Sequence, residues 1–172
     1  MRDTLTVISQ RKSVRHFTDR EISDGQVEVL LRAAMAAPSA KNKQVWEFVV
    51  INERSELDRL ATLLPYAKML SQAPVAIVIC GDVSKNTEES ELNWVADCSA
   101  AAENLLLAAE SLGLGAVWTA AFPYADRMDA VRQITGIPEH IVPLCVVPVG
   151  HPGKDEPVKD KWHPEKIHYN QW

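Results

Sequence analysis

The sequence predicts a single domain, covering residues 1–172, that combines helices with buried strands. Its length suits one compact core, and 47% hydrophobic against 24% charged residues is an ordinary globular balance. Segments with apolar residues at helical spacing alternate with short β-branched runs that are bounded by turn residues. These two patterns together indicate a mixed helix and strand domain.

The first predicted helix begins at Ser23 and ends near Ala37. Ser23 has Gln26 three residues later, which is the spacing of a capping box, and apolar residues then recur at helical spacing until Pro38. The element therefore has a start signal and a stop signal.

Two apolar runs follow as predicted strands, with a helix between them. The runs "VWEFVVIN" at 45–52 and "APVAIVICGD" at 73–82 are short, β-branched and bounded by turn residues. Between them, "RSELDRLATLLPYAKML" at 54–70 has helical spacing with a break at Pro65.

The second half adds two strands and a helix before a polar tail. "GAVWTAAFP" at 115–123 and "HIVPLCVVPVGHP" at 140–152 are typical of strands, and a helix is predicted over about residues 126–135. The last stretch, 153–172, is polar and interrupted by prolines but carries three aromatic residues. We expect it to wrap over a surface rather than to form a core element.

The longest predicted helix covers residues 90–112 and ends at Gly113 or Gly115 as a glycine cap. Its apolar residues lie on most of its faces, which is not the pattern of an amphipathic surface helix. A domain of this size has little room for a fully central helix. We therefore expect part of this helix to be buried against a second copy of the chain.

A stripe of four polar residues also runs along that helix. Asn93, Asp97, Asn104 and Ser111 recur at spacings of four and seven, which places them on one narrow face. Two interpretations are open. The stripe is either a second solvated edge or a set of buried polar groups that fix helix ends and loops, and such groups must be fully hydrogen bonded.

Charge and cysteine usage limit the possible partners and compartment. The net charge of −5 argues against nucleic acid or an anionic membrane as the main partner. The N-terminus has no long apolar segment, and no stretch approaches the ~20 apolar residues that span a bilayer, so we expect a soluble, cytoplasmic protein. Cys80, Cys98 and Cys145 lie far apart in apolar contexts, which predicts core packing rather than a disulfide framework.

Most familiar catalytic motifs are absent from the sequence. "GLGAVW" begins like a dinucleotide-binding loop, but Trp118 stands at the third glycine position and the motif follows a helix. The five histidines show no ligand spacing, so no metal site is expected. One cluster does stand out, because "RKSVRHF" places three cations, at 11, 12 and 15, around the hydroxyl of Ser13. Such a set can bind a phosphate, and a solvated basic turn is the alternative.

Four segments carry a resemblance that covers essentially the whole chain. They are "RKSVRHF", "APSAKNKQVWEFVV", "ENLLLAAESLGLGAVW" and "VGHP". In this order and at these intervals the chain resembles the FMN-dependent nitroreductase family. The resemblance implies an α+β, nitroreductase-like fold with a mixed central β-sheet flanked by helices. It also implies an intertwined homodimer with one FMN at each of two interface sites and a C-terminal tail that wraps the partner.

The resemblance assigns FMN-binding roles to residues across the chain. The basic segment, residues 11–15, matches the family motif for the FMN phosphate, ribityl chain and pyrimidine edge, and a lysine pair in the tail matches one that closes over the phosphate. The loop at 38–44 matches a loop contributed by the partner subunit. The implied cofactor-binding residues are Arg11, Lys12, Ser13, Arg15, Pro38, Ser39, Ala40, Asn42, Gln44, Lys68, Thr119, Ala120, Lys159 and Lys161.

Lys68 is the residue to which the resemblance gives a catalytic role. It matches a lysine near flavin N1 and the C2 carbonyl, where positive charge stabilises the reduced ring. Thr119 and Ala120 match the turn whose backbone N–H groups face flavin N5 and O4. The chain departs from the family at Pro65, where several relatives carry asparagine, and at Lys161, where arginine is common.

The implied activity is NAD(P)H oxidoreduction through FMN by a ping-pong hydride transfer. NAD(P)H reduces FMN at N5 and leaves, and a nitroaromatic, quinone or related flat acceptor then takes the electrons. Trp94, Phe122 and Tyr124 are candidates to line the acceptor pocket, with core packing as the alternative for each. Two other functions stay open: a specialised flavin reaction such as dehydrogenation or dehalogenation, and flavin binding without efficient turnover.

Overall fold

The computed structural model describes residues 3–85 and 92–172, in which helices pack on both faces of a five-stranded sheet. The α-helices of this part are α1 (Thr4–Gln10), α2 (Asp24–Met35), α3 (Arg54–Leu63), α4 (Asn93–Ser111) and α5 (Ala125–Thr135). The strands are β1 (Trp46–Ile51), β2 (Val75–Asp82), β3 (Gly115–Ala116), β4 (Thr119–Ala120) and β5 (Ile141–Gly150). The predicted combination of helices and a sheet is confirmed.

The sheet has β1 at one edge and two short strands at the other. β2 pairs with β1 and with β5, and both β3 and β4 pair with the remaining side of β5. These ladders are antiparallel, and among the described residues the parallel pairing is the bridge between Ser13 and Ala116.

The strand β2 separates two apolar cores, and all eight of its residues are buried. Ile77 and Ile79 belong to the core that includes α2 and α4, whereas Ala76 and Val78 belong to the core that includes α3 and α5. Side chains alternate between the two faces of a strand, so residues 75–80, which are covered on both faces, are apolar at each position. This explains the continuous apolar run in its sequence.

The helix starts and stops were predicted closely. The capping box of Ser23 and Gln26 is present, and α2 follows it. α3 ends at Leu63, ahead of Pro65, and Gly113 has φ +71 just after α4. Residues 90 and 91 of the predicted long helix lie outside the described residues.

The helix α1 was not predicted. Asp3 caps it by accepting a hydrogen bond on Oδ1 from the N–H of Thr6 at 3.1 Å. The helix has seven residues and one buried side chain, Val7. So short an element shows too few turns for its spacing to be recognised from sequence.

The single strand predicted at 115–123 was wrong in its extent, because the structure has β3 and β4 instead. β3 and β4 pair with β5 in one continuous register, since Ala116 is opposite Val149 and Thr119 is opposite Val146. That register places Pro148 opposite the gap. Proline has no N–H to donate, so the ladder is interrupted there.

In the polar stripe of α4, two residues are hydrogen bonded to neighbouring elements and two are exposed to solvent, so each of the two interpretations holds for half of it. Asp97 is buried and accepts from the N–H of Ala40 at 2.9 Å, and Asn104 Nδ2 donates to the Ala33 carbonyl near the end of α2 at 3.1 Å. These two residues fix a loop and a helix end. Asn93 and Ser111 are exposed.

The three cysteines are free and buried, as the core interpretation predicted. Burial raises the pKa of Cys80 and of Cys98 to about 12. Among the described helices, none is long and apolar enough to cross a membrane.

Candidate functional site

The basic segment runs along the outer side of β3. The N–H of Val14 donates to the Ala116 carbonyl at 3.0 Å, and the Val14 side chain is buried. A Cβ on Gly115 would lie 2.6 Å from Val14 Cγ1, so the missing side chain permits this approach. Because side chains alternate along an extended segment, the burial of Val14 turns Ser13 and Arg15 to the opposite face.

Two of the three cations in this segment are paired with carboxylates. Arg11 Nε lies 3.3 Å from Glu103 Oε1, and Lys12 Nζ lies 2.9 Å from Asp155 Oδ1. Arg15 is exposed and makes no ion pair with the described residues. The segment thus has one cation without an acidic partner and two cations that form ion pairs with carboxylates.

The helical turn that carries Lys68 is joined to the chain two residues after the basic segment. The turn covers Lys68–Ser71, and the next residue, Gln72, accepts on Oε1 from the Phe17 N–H at 3.4 Å. Lys68 is exposed, and no acid of the described residues pairs with it. Lys68 and Arg15 therefore lie on neighbouring elements, both with unpaired charge.

The start of the C-terminal tail closes the other side of the segment. The Gly153 N–H donates to the His16 carbonyl at 2.8 Å, and the Thr18 N–H donates to the His151 carbonyl at 2.9 Å. A cavity of about 460 Å³ lies here, with Lys12 among its lining residues. Further along the tail, the side chains of residues 159 and 161 are exposed.

The strand β4 places backbone groups on the free edge of the sheet. The Ala121 N–H donates to the Leu144 carbonyl at 3.0 Å, so the backbone N–H of Ala121 points toward β5, and the Thr119 side-chain hydroxyl also donates to β5, at the Val146 carbonyl at 2.5 Å. Backbone groups alternate in direction along an antiparallel strand. The N–H and C=O of Ala120 therefore face away from β5, and the carbonyl accepts from Arg127 Nη1 at 3.3 Å.

The loop at 38–44 lies at the opposite edge, where it leads into β1. Its backbone is strained, because Lys41, Asn42 and Gln44 have φ between 49 and 53°. Hydrogen bonds hold it in place: Ala40 N–H to Asp97, Gln44 N–H to Ser39 Oγ at 2.9 Å, and Gln44 Nε2 to Asn42 Oδ1 at 3.2 Å.

The sheet order keeps this loop away from the other predicted residues. Three strand spacings separate β1 from β4, which is about 14 Å. The basic segment bridges to β3, β4 follows β3 along the same side of β5, and the turn that carries Lys68 is joined to Phe17 through Gln72. The loop at 38–44 and the tail lysines do not join them within the described chain.

Comparison with known proteins decides the family. The family model described as the Nitroreductase family matches residues 8–64 and 61–151. The chain belongs to the nitroreductase family. A relative from Methanothermobacter thermautotrophicus, with the provisional name NADH dehydrogenase/NAD(P)H nitroreductase, is 42% identical over 99% of this chain and 88% of its own length.

Solved nitroreductase structures have the same fold over the full chain. One from Bacteroides thetaiotaomicron, also provisionally named NADH dehydrogenase/NAD(P)H nitroreductase, is 51% identical with a TM-score of 0.94, covering 100% of this chain and 99% of the other. A provisionally named nitroreductase from Desulfovibrio desulfuricans, solved in complex with FMN, is 27% identical with a TM-score of 0.83 and covers 100% and 99%. The nitroreductase-like fold predicted from the sequence is confirmed.

The donor set of this nitroreductase-family site fits the chemistry of FMN. A phosphate requires cations and hydroxyl donors, which the basic segment supplies around Ser13. The oxidised ring system presents mainly hydrogen-bond acceptors along its pyrimidine and N5 edges. The outward N–H of Ala120 and the unpaired charges of Lys68 and Arg15 are donors that match them.

The three aromatic candidates for the acceptor pocket have different environments. Trp94 is 3% exposed and meets Phe122 edge to face at a centroid distance of 4.9 Å, so both pack in the core around α4. Tyr124 is 47% exposed. It is the most exposed of the three.

Two residues at the site edge were not among those predicted from sequence. Gln72 bonds to the Phe17 N–H, and nothing local in its sequence context marks it. Arg127 bonds to the Ala120 carbonyl. The feature of the sequence that marks it is its position in the first turn of a predicted helix, where the helix dipole disfavours positive charge.

Proposed function

We propose that this protein is an FMN-dependent NAD(P)H oxidoreductase that reduces nitroaromatics, quinones or related flat acceptors, with residues 1–172 as one FMN-binding domain. Bound FMN would supply the ability to accept a hydride at N5 and to pass electrons on. The observation that supports the proposal is the basic segment bridged to β3, next to the outward backbone edge of β4, with the Lys68 turn joined to Phe17 through Gln72.

The residues of this edge divide into those that hold the phosphate and those that face the ring. Arg11, Lys12 and Ser13 would bind the phosphate and ribityl chain, with Lys159 and Lys161 closing over it from the tail. Because Arg11 and Lys12 are paired with acids, a bound phosphate has to compete with those carboxylates. A lysine at 161 binds as a point charge rather than as a fork, which weakens this closure.

Electrostatics toward the ring depends on Arg15 and Lys68. These two cations would stabilise the negative charge that reduction of bound FMN places on the pyrimidine side of its ring. Neither cation is compensated by an acid of the described residues, so their full charge is available. Lys68 is the residue to which we assign the catalytic role, and the N–H of Ala120 would orient the N5 edge.

The proposed site requires two copies of the chain. The strained loop with Pro38, Ser39, Ala40, Asn42 and Gln44 lies at the far edge of the sheet, so it would reach the FMN of a second copy. The tail supports the same homodimer, since Trp162, Tyr169 and Trp172 are 69%, 83% and 100% exposed on the single chain. An aromatic tail with so little cover of its own is suited to wrap a partner.

The proposed cellular setting and partners follow from the same features. Three free, buried thiols support a reducing, cytoplasmic compartment. The acidic balance of the chain supports small acceptors rather than nucleic acid or membrane as partners.

Three measurements on the purified protein test the function. We expect a flavin absorbance band near ~450 nm, its bleaching by NADH or NADPH, and its recovery on adding menadione or a nitroarene. No band after adding FMN would refute every flavin function. A band that neither nicotinamide bleaches would indicate flavin binding without turnover, and bleaching without recovery would indicate a specialised reaction.

The role of Lys68 has its own test. Lys68→Ala should slow flavin reduction by NAD(P)H more than it weakens FMN binding, because its charge matters most as the ring is reduced. Arg59→Ala, which removes an exposed cation on α3, is the control and should change neither quantity. A larger effect on FMN affinity than on the reduction rate would make Lys68 a binding residue only.

A further inference from the structure

Arg127 is a half-buried cation in an unfavourable position. It is the third residue of α5, so its charge lies in the first turn, where the helix dipole is positive. Its Nε is buried and finds no hydrogen-bond partner among the described residues. An unsatisfied buried donor and a dipole conflict both destabilise the fold, so packing alone does not explain this residue.

The contacts of Arg127 connect it to β4. Nη1 donates to the outward carbonyl of Ala120 at 3.3 Å, and the guanidinium carbon lies 3.8 Å from the centroid of the Tyr124 ring. The ring and the carbonyl hold the guanidinium from two sides. No acid of the described residues forms an ion pair with it, so its uncompensated positive charge makes the electrostatic potential at the edge of β4 more positive.

The polarity of this edge determines what it can bind. A free strand edge presents N–H donors and C=O acceptors together. On β4 the outward carbonyl of Ala120 is covered by Arg127, which leaves the N–H of Ala120 as the exposed group. An edge that shows a donor and a positive charge attracts hydrogen-bond acceptors such as N5 and O4 of an oxidised flavin ring.

We propose that Arg127 is a positioning residue that makes the β4 edge a donor surface for the flavin ring and raises the reduction potential of bound FMN. This inference rests on the proposed FMN function. The cation acts by covering the Ala120 carbonyl and through its field, without contacting the flavin ring. A covered carbonyl and a positive charge at the edge both favour electron uptake by the ring.

The test compares Arg127→Met, Arg127→Lys and Arg132→Met as holoproteins. Met preserves the length of the side chain without its charge or donors, and Lys restores the charge and one donor. Arg132 is a matched control, because it lies on the same helix and donates to two backbone carbonyls, those of Pro138 and Glu139, at 2.8 and 3.1 Å.

Three quantities are measured for each variant: the dissociation constant of FMN, the midpoint potential of bound FMN against a reference dye, and the urea midpoint. Arg127→Met should weaken FMN binding about tenfold and make the potential more negative, because the Ala120 carbonyl loses its charged partner and the edge loses its positive charge. Arg127→Lys should recover most of the potential. Arg132→Met should lower the urea midpoint and leave the potential unchanged.

The outcomes separate this inference from the proposed function. A wild-type protein that binds no FMN refutes the proposed function and this inference with it. If the wild type binds FMN and NADH reduces it, an Arg127→Met protein with the wild-type potential overturns the inference alone. If Arg127→Met does not fold, a Lys variant with FMN affinity and potential like those of wild type supports the role of the charge, and a Lys variant with a strongly lowered potential overturns it.

Discussion

Replacing Asp97 should release the strained loop at 38–44 and weaken FMN binding while leaving most of the fold intact. Three of the loop residues that are not glycine adopt left-handed backbone conformations, which cost about 1 kcal/mol each, or roughly 3 kcal/mol in total. The hydrogen bond from Ala40 N–H to the buried Asp97 carboxylate offsets about 1.5 to 3 kcal/mol of this. The neutral bond from Gln44 N–H to Ser39 Oγ offsets about 1 kcal/mol.

The bond to Asp97 is therefore the stronger of these two hydrogen bonds of the loop. Asp97→Ala removes about 2 kcal/mol, which corresponds to roughly a 30-fold shift in the population of the ordered loop. Asp97→Asn keeps an acceptor oxygen at the same position and should stay within about threefold of wild type. Ser111→Ala, at the exposed end of the same stripe on α4, serves as the control.

The assay is titration of the apoprotein with FMN by quenching of flavin fluorescence, with urea unfolding measured in parallel. The expected pattern is a loss of FMN affinity in Asp97→Ala that exceeds its loss of unfolding free energy. Equal losses in Asp97→Ala and Asp97→Asn would show that the buried charge matters rather than the acceptor. Wild-type affinity in Asp97→Ala would refute a role of this loop in binding.

Three further predictions concern stability and reactivity. Gly115→Ala should cost about 1 to 3 kcal/mol of unfolding free energy in urea, because the new Cβ would overlap Val14, and an unchanged midpoint would contradict that packing. The three thiols should not react with a disulfide reagent at pH 8 until the protein unfolds, since burial raises their pKa, and fast labelling of the native protein would argue against it. Burial raises the pKa of Asp82, but hydrogen bonds from Ser84 and the charge of Lys85 outweigh burial, so the net pKa lies below 3.8. A carboxyl whose pKa is lower in the folded state adds stability at pH values above its unfolded pKa, and this contribution is lost as the pH falls through its folded pKa. Ser84→Ala should therefore make the loss of stability below about pH 4 less steep. An unchanged dependence of unfolding free energy on acid pH would contradict this.

Local sequence signals predicted the elements whose determinants are close together in the chain. The capping box at Ser23 and the break at Pro65 each lie within a few residues of the feature that they set. The break between β3 and β4 depends on Pro148, which is about 30 residues away in sequence and opposite them only once the strands pair. A scan along one strand has no access to that partner.

The same distinction applies to the candidate site. The basic segment is a local cluster, so composition alone marks it as a phosphate-binding candidate. Lys68 and Ala120 had no local signal and were assigned by family resemblance, because their surroundings depend on tertiary contacts: Gln72, after the Lys68 turn, bonds to Phe17, and β4 pairs with β5. Asp97 was recognised as part of a polar stripe, but its partner in the loop could not be inferred from helical spacing.

The arrangement of the two sheet edges makes a last prediction about how the site is shared. If Arg15 of one copy and Asn42 of the other hold the same FMN, then Arg15→Ala and Asn42→Ala each weaken both sites of a homodimer. A heterodimer made from one subunit of each variant should contain one site with both defects and one intact site. Tagged subunits refolded together and purified as the heterodimer should bind close to half the FMN of the wild type with wild-type affinity. If both residues served the FMN of their own chain, each site would carry one defect, and FMN titration would show no tight site at all.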